Sequence, residues 1–275
     1  MALIRKFLVY NKRMDRNLES LIAATETLPK NRKLLLLLDY DGTLVEIAMR
    51  PELARPNQKL VHVLGRLASL PGLALVVVSG RNLRNLQEFL PIGGLNYLGS
   101  HGAEGLIGGE PWTLKVNSGS RQKRAALQRE LVSKLADLSG WWLETKPLGF
   151  ALHYRQAEPE EELKIFEILD PWLDQVSRCG HHQILRGKKV VEVLPHGVSK
   201  GAAIQEILLL PGFYDHFPIY LGDDVTDESA FQVLQDRGLT IKVGPGATAA
   251  THSLPHPAAV RQFLTLLAAH LEDHA

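Results

Sequence analysis

Leu34-Leu35-Leu36-Leu37-Leu38-Asp39-Tyr40-Asp41-Gly42-Thr43-Leu44 decides how this chain folds: five leucines run straight into two carboxylates, a glycine and a threonine. Leucine is a good helix former, so the run alone is ambiguous. Its length resolves it. Five apolar residues bounded by Lys33 and by Asp-x-Asp-Gly suit a strand buried on both faces. Such a strand is central in a parallel sheet, and open parallel sheets bind ligands beyond the carboxyl ends of their strands. Asp39 and Asp41 stand at that end. Two carboxylates this close repel unless a cation or a shared proton intervenes. Mg²⁺ suits the pair, because it takes few oxygen ligands from protein and the rest from water and phosphate. The stretch therefore reads either as an Asp-Gly turn closing a strand or as a nucleophilic Asp39 beside an acid/base Asp41.

Downstream, Leu60, Val63, Leu64 and Leu67 keep helical period, Pro71-Gly72 breaks it, and Leu73 to Val78 is a second apolar strand. This is a β-α-β unit, so the two strands should be parallel. The second strand ends in Ser79-Gly80-Arg81. Ser79 either caps a helix starting near Asn82 or offers its hydroxyl to a phosphate. Leu95 to Leu98 reads as a third strand, closed by the glycine-rich Gly99-Ser100-His101-Gly102, with His101 read either as a ligand contact or as a structural loop histidine.

From about Glu104 to Val193 the alternation of strand and helix stops. Arg121 to Leu138 and Glu158 to Val176 read as helices. Trp141 to Lys146 and Phe150 to Arg155 flank a Pro147-Leu148-Gly149 turn and read as a hairpin, and Ile184-Leu185 with Gly187 to Leu194 as another pair of strands. Helices and antiparallel strands inserted into an α/β chain predict a separate α+β lid. With period two, Trp142, Glu144 and Lys146 share one face, and Lys188, Val190 and Glu192 share another. If those faces coincide, they either bind the hydroxyls of a polar substrate or form a solvated surface with cross-strand ion pairs.

The α/β style then returns. Ser199 is an N-cap for a helix reaching Leu210. Lys200 falls in its first turn, where the helix dipole disfavours a cation, so a phosphate or a carboxylate such as Asp39 should face it. The strand Phe217 to Leu221 runs into Gly222-Asp223-Asp224-Val225-Thr226-Asp227-Glu228. Capping accounts for Asp227 and Glu228, whereas Asp223 and Asp224 stand where a metal would sit. Thr240 to Val243 is a last strand, and Pro257 to Leu271 a closing helix.

The 275 residues are 45% hydrophobic and 22% charged, with a net charge of +1. That composition supports a packed core and points to neither nucleic acid nor an anionic membrane. The single Cys179 excludes an intrachain disulfide and fits a reducing, cytoplasmic compartment. Residues 1–30 carry basic and apolar residues without an h-region or cleavage site, and read as an added helix.

The ordered set Asp39-x-Asp41-Gly-Thr, Ser79, Lys200 and Gly222-Asp223-Asp224-x-x-Asp227 resembles the haloacid dehalogenase superfamily. Within it, Asp-Tyr-Asp-Gly-Thr-Leu, Val-Ser-Gly-Arg (78–81), Gly-Ser-His-Gly-Ala-Glu (99–104), His-Tyr-Arg (153–155), Gly-Lys-x-Val-Val-Glu (187–192) and Gly-Asp-Asp-x-Thr-Asp-Glu (222–228) resemble the trehalose-6-phosphate phosphatases. The resemblance covers roughly residues 33–267. It implies an α/β fold: a Rossmannoid parallel-sheet core over 1–103 and 194–275, and a C2-type α+β cap over 104–193.

The resemblance also implies a Mg²⁺-dependent hydrolysis of trehalose 6-phosphate through an aspartyl-phosphate. Asp39 would be the nucleophile and Asp41 the acid and base. Ser79 and Lys200 would hold phosphate oxygens, and Asp39, Asp223 and the Asp41 backbone carbonyl the metal. Asp224 and Asp227 would support Lys200 or the metal shell. Tyr40, Gly80, Arg81, Glu144, Lys146, Lys188 and Glu192 would contact substrate. The alternatives are a related sugar-phosphate phosphatase of the sucrose-phosphate or mannosyl-phosphoglycerate type, a phosphomutase, and a silent sugar-phosphate or synthase-binding domain. A monomer is expected, with a trehalose-phosphate synthase as candidate partner.

Overall fold

β1 (Leu34–Asp39) is buried at every residue and lies between two parallel neighbours, β10 (Phe217–Gly222) and β2 (Leu73–Val78). The structure is a computed structural model and describes Leu21 and residues 33–116, 120–187 and 189–273. β11 (Leu239–Val243) and β12 (His252–Leu254) extend the parallel sheet beyond β10, and β3 (Asn96–Gly99) extends it beyond β2. Leu36 and Leu38 share a cluster with Leu60, Val63, Leu64 and Leu67 of α1 (Gln58–Ala68) and with Val260, Phe263 and Leu264 of α7 (Pro257–Glu272). Leu37 pairs with Tyr220, so both face the other way, where Tyr220 meets Phe231 of α6 (Glu228–Leu234) edge-on at 5.6 Å. α5 (Lys200–Ile207) packs on α6. Covering a leucine completely stabilises by roughly 1.5–3 kcal/mol. A central strand covers all five, whereas an amphipathic helix would leave some of them wet.

The chain divides into two units, residues 1–113 with 199–275 and residues 114–198. This moves the expected boundary after Ala103. β4 (Glu104–Ile107) and β5 (Glu110–Thr113) form a hairpin on the edge of the first unit's sheet, antiparallel to β3. Its two-residue Gly108-Gly109 turn has positive φ at both positions, which favours glycine. Pro111 is tolerated because β5 is the edge strand.

In the second unit, β6 (Trp142–Thr145), β7 (Phe150–His153), β9 (Val190–Pro195) and β8 (His182–Gly187) form an antiparallel sheet in that order. Phe150, Leu152, Val191 and Val193 pack on Leu131 and Leu135 from α3 (Ser120–Lys134) and its C-terminal turn, and on Ile165, Leu169, Trp172 and Leu173 of α4 (Pro159–Arg178). One sheet face is thus core.

The helix expected over residues 1–30 lies outside the described residues, apart from Leu21, which is buried in the first unit's core. Among the described residues no helix is long and apolar enough to cross a membrane.

Candidate active site

Register delivers the site. Asp39 ends β1 opposite Val78, the last residue of β2, while Leu38 pairs with Leu221 on the other side. Asp39, Ser79 and Asp223 therefore emerge at one edge of the sheet. Lys200 is the first residue of α5, behind the Ser199 N-cap, whose side chain accepts from Ala202 N.

The cation of that first turn is compensated. Lys200 Nζ donates to Asp39 Oδ1 at 2.6 Å and to Asp227 Oδ1 at 2.7 Å, with Lys200 and Asp39 only 3% and 4% exposed. Asp227 also accepts from Tyr220 OH at 2.5 Å and from the Asp224 N–H at 2.9 Å. Its oxygens are thus occupied by three donors, so it anchors Lys200. Asp224 is exposed and accepts from Thr226 Oγ1 at 3.3 Å, a turn contact.

Burial pushes the Asp39 carboxyl well above the ordinary carboxylate range; Lys200 pulls it down, and Asp227 and Asp223 push it further up. Burial and Asp227 push Asp223 up to about 6, against the charge of Lys200. For Lys200, burial disfavours the ammonium, but Asp227 and Asp39 more than reverse this and hold it above its usual value. The cluster carries more negative charge than one ammonium neutralises.

A cation fits that imbalance. Single ligand atoms from Asp39, Asp223 and Asp227 lie within 4.8 Å of one another. Because Asp227 is already engaged, the oxygens left to a metal are those of Asp39 and Asp223. Asp39 Oδ2 is buried without a hydrogen-bond partner, a state that costs stability unless something coordinates it. Gly42 makes room for Asp223: it has φ +80°, and a Cβ there would lie 2.0 Å from Asp223 Oδ2. Thr43 Oγ1 donates to Asp223 Oδ1 at 3.3 Å. The Asp41 carboxylate stands apart from this set, held by Arg81 Nε and Nη2, each at 2.7 Å.

Ser79 is buried, and its Oγ accepts from the Arg81 N–H at 3.1 Å, which leaves the hydroxyl hydrogen to point elsewhere. Arg81 is engaged twice, through this N–H and through Asp41, and its guanidinium lies over Tyr40 and Phe89. The His101 ring sits where a Cβ on Gly80 would meet it at 2.7 Å, on a loop whose Ser100 and His101 both have left-handed φ. Tyr40, expected to contact substrate, points its side chain into the core. Its side chain is fully buried and donates to Ala54 O at 2.7 Å, a core role set by alternation along the strand.

In the second unit, Glu144 pairs with Ala151, which pairs with Glu192, so both acids share one sheet face. On it Lys146 Nζ donates to Glu192 Oε2 at 2.7 Å. His153 Nε2 lies 3.0 Å from Glu144 Oε2 and stacks on Trp142 at 3.9 Å. Lys188 lies outside the described residues. The coincidence of faces left open by spacing alone is settled by register. His153 and Thr43 lie in motifs the sequence offered without a role for them, and Tyr220 was not singled out at all. Tyr220 in particular reads as one more apolar strand residue.

A parallel sheet with acids beyond β1 and β10, a serine beyond β2, a lysine opening a helix and an inserted α+β unit defines a haloacid dehalogenase-like α/β fold. The trehalose-phosphatase family model matches residues 37–257, and the chain belongs to that family. It is 32% identical over 252 residues to the trehalose-6-phosphate phosphatase of Escherichia coli, a match spanning 90% of this chain and 92% of that protein. It is 39% identical over 224 residues to the bifunctional trehalose-6-phosphate synthase/phosphatase of Thermoproteus tenax, spanning 80% of this chain but only 30% of that longer protein. The C-terminal domain of a C. albicans trehalose-6-phosphate phosphatase superposes with a TM-score of 0.71 at 27% identity, covering 87% of this chain and 93% of that one.

Proposed function

We propose that this chain is a phosphoric monoester hydrolase that cleaves trehalose 6-phosphate to trehalose and phosphate. The observation that carries this is Asp39 itself: a strand-end carboxylate with one oxygen on Lys200 and the other buried and unpartnered, beside Asp223. Asp39 attacks phosphorus, the bond to the sugar oxygen breaks, and an aspartyl-phosphate forms. Asp41 gives its proton to the departing sugar oxygen, then takes one from the water that hydrolyses the intermediate. Both Asp41 oxygens are engaged by Arg81, so that pair has to open before Asp41 can reach the sugar oxygen. Ser79 and Lys200 hold phosphoryl oxygens, with Asp227 and Tyr220 keeping Lys200 in place. Asp39, Asp223 and the Asp41 carbonyl would hold Mg²⁺, which would supply positive charge against the phosphoryl oxygens. Phosphoryl transfer needs in-line positioning and neutralised oxygens more than it needs covalent chemistry.

Glu144, Lys146, Lys188 and Glu192 recognise the sugar hydroxyls, since the core groups see only phosphate and metal. The named activities of the E. coli and C. albicans relatives support this substrate. The T. tenax fusion supports a trehalose-6-phosphate synthase as partner. The test is phosphate release from a panel of sugar phosphates with Mg²⁺ and with excess chelator. Trehalose 6-phosphate should be turned over fastest, and chelator should abolish turnover. Full activity in chelator refutes the metal assignment, and preference for another sugar phosphate refutes the substrate.

A further inference from the structure

Lys242 is a lysine inside a strand that is otherwise Leu239, Thr240, Ile241 and Val243, and it is 6% exposed. A leucine or methionine would pack there without the desolvation that an ammonium requires. The register of β10 and β11 puts Lys242 opposite Gly222, the residue before Asp223. Its Nζ donates to the main-chain carbonyl of Asp223.

The same peptide unit is held from its other end. The carbonyl belongs to Asp223, and the N–H of that peptide belongs to Asp224, which donates to Asp227 Oδ2 at 2.9 Å. One peptide plane therefore lies between a cation on its oxygen and an anion on its nitrogen. Asp227 is also the anchor of Lys200. Hydrogen bonds arranged in a chain polarise and strengthen one another. Fixing this plane fixes the backbone on the carboxyl side of Asp223, and with it the direction in which its carboxylate leaves the strand. Gly42 leaves no slack there, since Asp223 Oδ2 fills the space that a Cβ would take.

We infer that Lys242 is a positioning residue for metal binding: it clamps the Asp223–Asp224 peptide so that the Asp223 carboxylate faces Asp39 in a pose that holds a divalent cation. This rests on the proposed function only through the assignment of metal to Asp39 and Asp223. The Lys242 ammonium is spent on a main-chain carbonyl.

The test is Mg²⁺ titration by calorimetry of the full chain without substrate, for the parent, Lys242→Met and Lys242→Arg. The expected result is a ten-fold or greater loss of Mg²⁺ affinity in Lys242→Met, most of it recovered in Lys242→Arg. The turnover number of Lys242→Met should approach the parent's once Mg²⁺ is saturating. Amide exchange at Asp224 should quicken at least ten-fold in Lys242→Met, because its clamp has lost one jaw. Equal Mg²⁺ affinity in parent and Lys242→Met overturns the role of Lys242 and leaves the metal assignment standing. Absence of Mg²⁺ binding in the parent overturns the metal assignment itself, and this inference with it. If Lys242→Met does not fold, Lys242→Gln takes its place; failure of both neutral variants to fold makes Lys242 a fold determinant and overturns the inference.

Discussion

Lys200→Met removes the ammonium that pairs with both Asp39 and Asp227, and should act on stability as well as on turnover. Methionine keeps the length and volume of the side chain, so the change is almost purely electrostatic. Lys200 makes ion pairs of 2.6 and 2.7 Å with side chains that are 5% and 0% exposed. Removing one partner of a buried pair costs on the order of 3–5 kcal/mol, because a charge is left without compensation. The upper part of that range applies here, since two carboxylates lose the same partner. The carboxylates will respond by taking up a proton. Asp39 already sits well above the ordinary range, mainly through burial, and loses the Lys200 charge that opposes it.

A carboxylate whose folded-state pKa lies above its unfolded value contributes stability below the unfolded pKa and loses it as pH rises through the folded one. For one proton held by the folded chain and not by the unfolded one, the slope is ~1.4 kcal/mol per pH unit. The variant should therefore lose several kcal/mol relative to the parent at pH 8 in chelator, and on the order of 1 kcal/mol at pH 5, where protonation relieves the repulsion. Added Mg²⁺ should stabilise it more than it stabilises the parent at pH 8. Urea denaturation followed by circular dichroism at both pH values, with and without Mg²⁺, measures all of this. A loss under ~1 kcal/mol at pH 8, or one that does not shrink at pH 5, would refute the electrostatic account of the site.

The two strand-end acids should separate by assay. Asp39→Asn should lose formation of a phosphoryl-mimic complex with a metal fluoride, whereas Asp41→Asn should slow turnover while still binding substrate tightly; near-normal rates in both would remove the mechanism. Asp223, pushed up to about 6 by burial and by Asp227, should make Mg²⁺ affinity of the free protein rise as pH goes from 5 to 7; by the same sign rule its contribution to metal-free stability falls over that window. Calorimetric titration at three pH values checks the first part, and a pH-independent affinity would contradict it. On the second unit, Glu144→Ala, Lys146→Ala and Glu192→Ala each leave a polar partner unpaired at ~1–3 kcal/mol, or roughly ten-fold in turnover of trehalose 6-phosphate at ~1.4 kcal/mol per decade. p-Nitrophenyl phosphate hydrolysis should change little, and equal effects on both substrates would show a merely solvated face.

By itself the sequence determined the core strands and the residues at their ends. A five-leucine run and the Leu73–Val78 run each have one stable solution, a strand covered on both faces, and local chain direction then places Asp39 and Ser79 beyond their ends. The charge argument for Lys200 was also legible, because a cation in the first turn of a helix requires an anion wherever it comes to rest. What the sequence could not decide was which way side chains point once an element ends and which partners meet across long separations. Tyr40 lies between two acids of one motif, yet alternation turns it into the core, onto Ala54. The Gly108-Gly109 hairpin joined the main sheet because β3 had an open edge, a fact of strand order with no local signature. Lys242 and Tyr220 read as members of apolar strands, and only the register of β10 with its neighbours brings their polar ends to Asp223 and Asp227. Local periodicity fixes an element and its faces, but a hydrogen bond between residues far apart in the chain exists only once packing has chosen their strand order and register.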